Sequence, residues 1–163
     1  MSELADLLER FRRGAELLAV ATTGAAGTEL DFKPAGKWSV RQIVCHLADS
    51  EAVGTMRYRQ LIAEEHPVMP GWNQEEWTAK LDYEKRKISQ ALELFRVLRS
   101  SNYELLKDLP EDTFQRAGTH TSRGEMSLLQ LLRADAEHVE NHVQQLRTAR
   151  AAYKEHKART AVH

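Results

Sequence analysis

The chain has 163 residues, 42% hydrophobic and 29% charged, and its 23 Lys and Arg against 24 Asp and Glu leave a formal net charge of -1. That length fits a single domain over residues 1–163, while the charge balance lacks the clustered positive excess that binding nucleic acid or an anionic membrane requires. Cys45 is the single cysteine, which excludes an internal disulfide and any site built from several thiolates, so a metal here must be held by histidine and carboxylate.

The opening stretch MSELADLLERFRR alternates charge with leucine and lacks the apolar run of a signal peptide. No segment approaches the length of a membrane span, so a cytoplasmic protein is expected. Leu4, Leu8, Phe11, Ala15 and Leu18 recur at spacings of three and four, one apolar stripe on a helix from Ser2 to the Gly24 region. The next helix opens at WSVRQ, where Ser39 and Gln42 form a reciprocal capping box. Its stripe is Ile43, His46, Leu47, Ser50, Gly54, Tyr58 and Leu61, and it ends before Pro67. After a connection with a short helical turn at NQEEW, a third helix is expected from near Asp82, presenting Ile88, Ala91, Phe95, Leu98, Asn102 and Leu105 before Pro110.

The fourth helix opens at GEMSLLQ, again with serine three before glutamine, and shows Leu128, Leu132, Asp135, Val139, His142 and Leu146 on its inner side. The tail YKEHKARTAVH is expected to fray. No run alternates with period two for long enough to make a strand, although AGTHTSRGE can form a small extended turn. The fold class expected is therefore all-α, a four-helix bundle. Its linkers near 24–38, 64–81 and 109–127 are long enough to cross the bundle end to end.

Within RADAEHVENHVQQL, His138 and His142 stand four apart, on one helix face and about 5 to 6 Å apart at Cβ. Two imidazoles so placed can reach one metal ion, but the pair also arises by chance on amphipathic helices. His46 supplies a third candidate from the inner face of the second helix. Two readings stand: His46 is a lone core histidine beside a chance pair, or one divalent ion satisfies all three. Three protein ligands leave coordination positions open, as a catalytic site needs.

The remaining residues read more simply. Glu140 lies about 200° round the helix from His138, on the solvated side. Asp135 and Asp49 are placed to orient an imidazole or to serve as ordinary surface carboxylates. Cys45 reads as a small buried apolar residue. Trp38, Trp72 and Trp77 read as packing, with Trp72 a candidate pocket wall. His66, His120, His156 and His163 fall in linkers or the tail, and of these only His120 invites a pocket role.

The segments KWSVRQIVCHLADSE, FRVLRSSNYELLKDLPEDTF and GEMSLLQLLRADAEHVENHVQQL resemble the DinB-like superfamily, close to its YfiT-type branch, over nearly the whole chain. The most specific elements are the tryptophan and capped helix leading to a single His, and the terminal-helix H-x-x-x-H. The resemblance implies a bundle of up-down-down-up order with one divalent ion, zinc or nickel, on His46, His138 and His142. It also implies a thiol transferase using bacillithiol, mycothiol or glutathione, or a metal-dependent hydrolase.

The first functional expectation is a metal-dependent enzyme that conjugates a low-molecular-weight thiol to a small electrophile. Hydrolysis of a small ester or amide is its rival, since the same three histidines support either. A metal-dependent binding or stress-response protein without turnover is a third, because no general base is evident in the sequence. No catalytic residue is assigned. The partners expected are a small-molecule substrate and a second copy of the chain in a homodimer.

Overall fold

A computed structural model of the chain describes residues 2–161. Ser2 caps α1 (Glu3–Thr22) by accepting the Ala5 amide at 3.1 Å. Both expected capping boxes are present. Ser39 accepts the Gln42 amide at 3.2 Å and donates its own amide to Gln42 Oε1 at 2.9 Å, starting α2 (Val40–Ala63). Ser127 and Gln130 do the same, at 3.1 and 2.8 Å, where α5 (Leu128–Ala161) begins. Between them lie α3 (Gln74–Lys80), capped by Asn73, and α4 (Ile88–Leu106). The helix expected from Asp82 starts later, because Asp82 sits at φ 53 in the left-handed region and leads only into a 3-10 turn at Tyr83–Lys85.

Side-chain contacts give the direction of each long helix. Glu3 pairs with Arg133, Arg10 with Glu140, and the Ala21 carbonyl with Arg150, so α1 and α5 run parallel. Tyr58 meets Asp135 while His46 meets His138 and His142, so α2 runs against α5. Glu51 meets Arg99 and Thr55 meets Asn102, so α2 and α4 run parallel. The order is up-down-down-up. Two parallel neighbours cannot be joined by a tight hairpin, so the chain after α2 returns along the bundle through residues 64–87 before α4 can start.

That crossover is pinned by a small sheet, a minor addition to the all-α bundle expected. Strand β1 (Val68–Met69) pairs parallel with β2 (Ala117–His120), and β2 pairs antiparallel with β3 (Gly124–Ser127). The extended turn read at AGTHTSRGE is this β2–β3 hairpin. Its third strand escaped notice because a two-residue strand carries no period and its partner lies some fifty residues on. Gly118 is required here, since a Cβ would stand 2.5 Å from the Pro67 carbonyl oxygen.

The apolar core has two parts. One is built around Ile43, Leu47, Phe95, Val143 and Leu146, the other around Phe11, Tyr58, Leu61, Leu106 and Leu132. The layer between them is polar, with Glu51, Arg99 and Asn102 all buried. This layer shifts two expected stripes. On α4 the buried residues are Arg99 and Leu106 where Leu98 and Leu105 were expected, and on α1 they are Leu7, Phe11, Gly14 and Leu18, leaving Leu4 and Leu8 half-buried. The tail does not fray within the described residues. The helix continues to Ala161, held by a 2.6 Å hydrogen bond between Thr28 and Tyr153 hydroxyls and by Phe32 packing on Tyr153 and His156. Val162 and His163 lie outside the described residues. No helix among those described is long and apolar enough to cross a membrane.

Candidate metal centre

Antiparallel packing of α2 on α5 brings His46 against the His138 and His142 pair, with ring centroids 5.0, 4.7 and 4.5 Å apart in the three pairings. One nitrogen from each ring lies within 4.8 Å of the others. His46 Nε2 and His138 Nε2 are 3.0 Å apart, and the Ser50 hydroxyl is 3.5 Å from His46 Nε2. Two nitrogens each about 2.1 Å from a shared ion, at octahedral to tetrahedral angles, are about 3.0 to 3.4 Å apart, so the spacing of His46 and His138 fits a shared divalent ion. His142 Nδ1 meets Gln145 Oε1 at 2.8 Å, which places the proton on Nδ1 and leaves Nε2 with its lone pair.

Burial drives all three imidazoles toward the neutral form. The His46 pKa is brought down to about 3 by burial first, then by His138 and His142. That of His138 falls to about 4, by burial and then by His142. His142 is lowered by burial, with the Gln145 contact opposing. A neutral imidazole is the ligating form. His46 meets side-chain partners through Nε2, while its Nδ1 is buried with no hydrogen-bond partner among the described residues.

Asp49 and Asp135, read either as orienting these rings or as ordinary surface carboxylates, contact other groups. Asp49 accepts the Tyr83 hydroxyl at 2.6 Å and Arg86 Nη1 at 2.7 Å. Asp135 accepts the Tyr58 hydroxyl at 2.6 Å through Oδ2, and its Oδ1 makes no protein hydrogen bond among the described residues. Burial, then Glu51, push the Asp135 carboxyl up to about 6. Glu140 is not free in solvent but holds Arg10 through both oxygens, at 2.6 and 3.1 Å. Cys45 is fully buried, with Sγ 4.0 Å from the Tyr83 carbonyl, and burial pushes its thiol pKa up.

His46 and His138, but not His142, line an open cavity of about 440 Å³. Its walls include Ser50, Arg57, Trp72, His120, Arg123 and Asp135. Trp72 and His120 thus take the pocket positions read for them. The crossover delivers Trp72 to within 5.5 Å of the His46 ring, and Trp38 lies 5.0 Å from His46 and stacked 6.1 Å from His142. Gly71 makes this close approach possible, as a Cβ there would stand 3.2 Å from Ser122 Oγ and 3.4 Å from His120 Cε1. Arg57 and Arg123 were missed, because an arginine on a helix or a turn reads as surface unless the elements that enclose it are known.

Residues 10–146 match the DinB superfamily. The chain belongs to this superfamily. Its DinB relatives include proteins provisionally named as metal-dependent hydrolases. One from Oceanobacillus iheyensis is 32% identical over 108 residues, 66% of this chain and 62% of that protein. One from Halalkalibacterium halodurans is 30% identical over 112 residues, 69% and 65% of the two chains. One from Bacillus licheniformis is 28% identical over 150 residues, 91% and 85%. The chain thus spans less than two thirds of the length of the first two. Among solved structures, YfiT from Bacillus subtilis, described as a probable metal-dependent hydrolase with an unusual four-helix bundle topology, superposes with a TM-score of 0.87. The match covers 94% of this chain and 90% of YfiT at 23% identity, and what it establishes is the shared DinB bundle fold.

Proposed function

We propose that the chain is a metal-dependent enzyme in which His46, His138 and His142 hold one divalent ion, zinc or nickel, and which transfers a low-molecular-weight thiol such as bacillithiol to a small electrophile. The observation that carries this reading is the convergence of three imidazoles that burial drives toward the neutral form, two of which, His46 and His138, line a cavity of small-molecule size that no protein thiol lines. Cys45 is buried and protonated, so the nucleophile has to come from outside. A divalent ion bound there favours the anionic form of a coordinated thiol or water near neutral pH.

The chain's own groups do the rest. Gln145 fixes the His142 tautomer, and Trp38 and Trp72 shield the imidazoles from water. Asp135, with Oδ1 unpartnered and a pKa near neutrality, accepts the proton that the nucleophile releases, while the Tyr58 hydroxyl holds Oδ2 in place. That supplies the general base the sequence did not reveal. Hydrolysis of a small ester or amide is the second reading, favoured by the same carboxyl and by the names of the relatives.

The test is a paired assay on zinc- or nickel-loaded protein. Metal-dependent conjugation of bacillithiol or a similar thiol to an electrophilic probe is expected, with the alkaline limb of the rate below the free thiol pKa of about 8.5. Cys45→Ser retains the rate and His46→Ala abolishes it. Metal-dependent cleavage of ester or amide probes with no thiol conjugation would transfer the assignment to the hydrolase. Loss of the thiol rate in Cys45→Ser with its metal retained would make the cysteine the nucleophile and overturn the mechanism.

A further inference from the structure

The cavity lined by His46 and His138 also gathers hydrogen-bond donors. Arg57, from α2, donates one N–H to the Pro70 carbonyl at 2.7 Å and leaves its buried Nε without an acceptor. Burial works against its charge, and Asp135 offsets that only in part. Arg123 lines the same cavity from the β2–β3 turn. Arg57 and Arg123 pair with no carboxylate among the described residues, and Arg123 is exposed, unlike Arg99 and Arg150, which each hold one.

His120 stands beside them. Its Nδ1 accepts from the amides of Ser122 and Arg123, at 3.1 and 3.2 Å, so the proton sits on Nε2, which has no hydrogen-bond partner among the described residues. Two carboxyl groups share the cavity. Asp135 is held through Oδ2 by Tyr58 and offsets the Arg57 burial only in part, Glu137 is exposed, and neither forms an ion pair with Arg57 or Arg123 among the described residues. A buried donor without an acceptor costs stability, and Arg57, whose Nε is such a donor, also lines the cavity.

We propose that Arg57, Arg123 and the Nε2–H of His120 form a recognition subsite for the carboxylate of a small organic anion. The cavity is of the size that takes a small molecule, and a planar guanidinium matches a carboxylate through paired N–H donors. Bound there, an anion extends from the arginine wall toward His46 and His138. The subsite deepens the enzyme reading above by naming the substrate class, and it rests on that reading only for the end of the molecule that reacts.

Calorimetric titration of succinate, with succinamide as the neutral control, tests it on both metal-free and zinc-loaded protein. Succinate binds both forms and succinamide neither. Arg57→Gln and Arg123→Gln each weaken succinate binding by about 10- to 100-fold, the scale of a lost charge-assisted contact, with helical circular dichroism and zinc content unchanged. Arg57→Lys, which keeps the charge and removes the planar fork, recovers only part of the affinity. Succinate binding that needs zinc and ignores both arginine substitutions would make the anion a metal ligand and overturn the subsite. Equal binding of succinamide, no binding at all, or inorganic phosphate displacing succinate at lower concentration would overturn it as well. A protein that binds succinate but no metal would sink the enzyme reading and leave the subsite standing.

Discussion

Glu51, Arg99 and Asn102 lie in the middle of the bundle with their charges paired, whereas His46, little more than a turn away on the same α2, is left incomplete. Arg99 gives Nε and Nη2 to the two Glu51 oxygens at 2.9 and 2.8 Å and Nη1 to the Phe11 carbonyl at 2.9 Å, with its guanidinium carbon 3.9 Å from the Phe11 ring centre. Asn102 donates to Glu51 Oε2 and to Thr55 at 3.0 and 2.9 Å and accepts from Arg59. His46, by contrast, faces another imidazole nitrogen at 3.0 Å and buries an Nδ1 with no partner. Folding alone rewards the first arrangement and penalises the second. A buried cluster that satisfies itself joins helices; the histidine cluster, beside a cavity, leaves a ring nitrogen of His46 without a partner among the described residues.

If that contrast is right, the two clusters fail in opposite ways when broken. Arg99→Met leaves Glu51 buried without its cation and is expected to cost about 3 to 5 kcal/mol in denaturant unfolding, with metal stoichiometry untouched. Replacing both members with apolar residues should return most of that loss. Gly14→Ala comes next. Its Cβ would stand 2.6 Å from Arg99 Nη1, so a cost of about 1 to 3 kcal/mol is expected, shrinking in an Arg99→Met background. Equal costs in the two backgrounds would show that the guanidinium does not fill that space.

Asp135 stands between the clusters and offers a pH test. Its folded pKa is about 6 against an ordinary 3.8. Between those values the folded protein holds a proton the unfolded chain has released, so this carboxyl's contribution is full below the lower value and is lost as pH rises through the upper. The stability of the parent minus that of Asp135→Asn should therefore fall with rising pH in this window, by at most about 1.4 kcal/mol per pH unit. A difference that rises instead would place the carboxyl in an ion pair.

The smallest effect on the fold is expected at the histidines. In metal-free protein His142→Ala should change unfolding free energy by no more than about 1 kcal/mol and leave helical circular dichroism intact, because the bundle is held by apolar burial. Elemental analysis should nonetheless find bound zinc or nickel falling from one equivalent to less than about a tenth, and chelator should lower the melting temperature of the parent alone. Unfolding of His142→Ala would make the ion structural.

Much of this was legible before the fold was known. The two Ser–Gln capping boxes located the starts of α2 and α5 because the partners are three residues apart, and the i, i+4 histidines announced a shared face for the same reason. Asp49 and Asp135 could be listed as neighbours of histidines in sequence, but three residues' spacing does not decide which partner a carboxylate takes. Tyr83 and Tyr58, arriving from other elements, decided it.

What the sequence by itself determined, then, is local: helix starts, the periodicity that makes this a bundle, and the imidazoles that face its interior. Their physical basis is hydrogen bonding and side-chain direction within one or two helical turns. Only the tertiary structure decided that Arg99 is core, that Glu140 clasps Arg10, and that Arg57, Trp72, His120 and Arg123 share a cavity with the histidines. These depend on α2 and α4 running parallel, which sends the crossover along the bundle and pins it through β1 to a hairpin some fifty residues away. Contacts between elements so distant along the chain leave no periodic trace in either segment, because each is stabilised by burial and pairing that exist only once the other is in place.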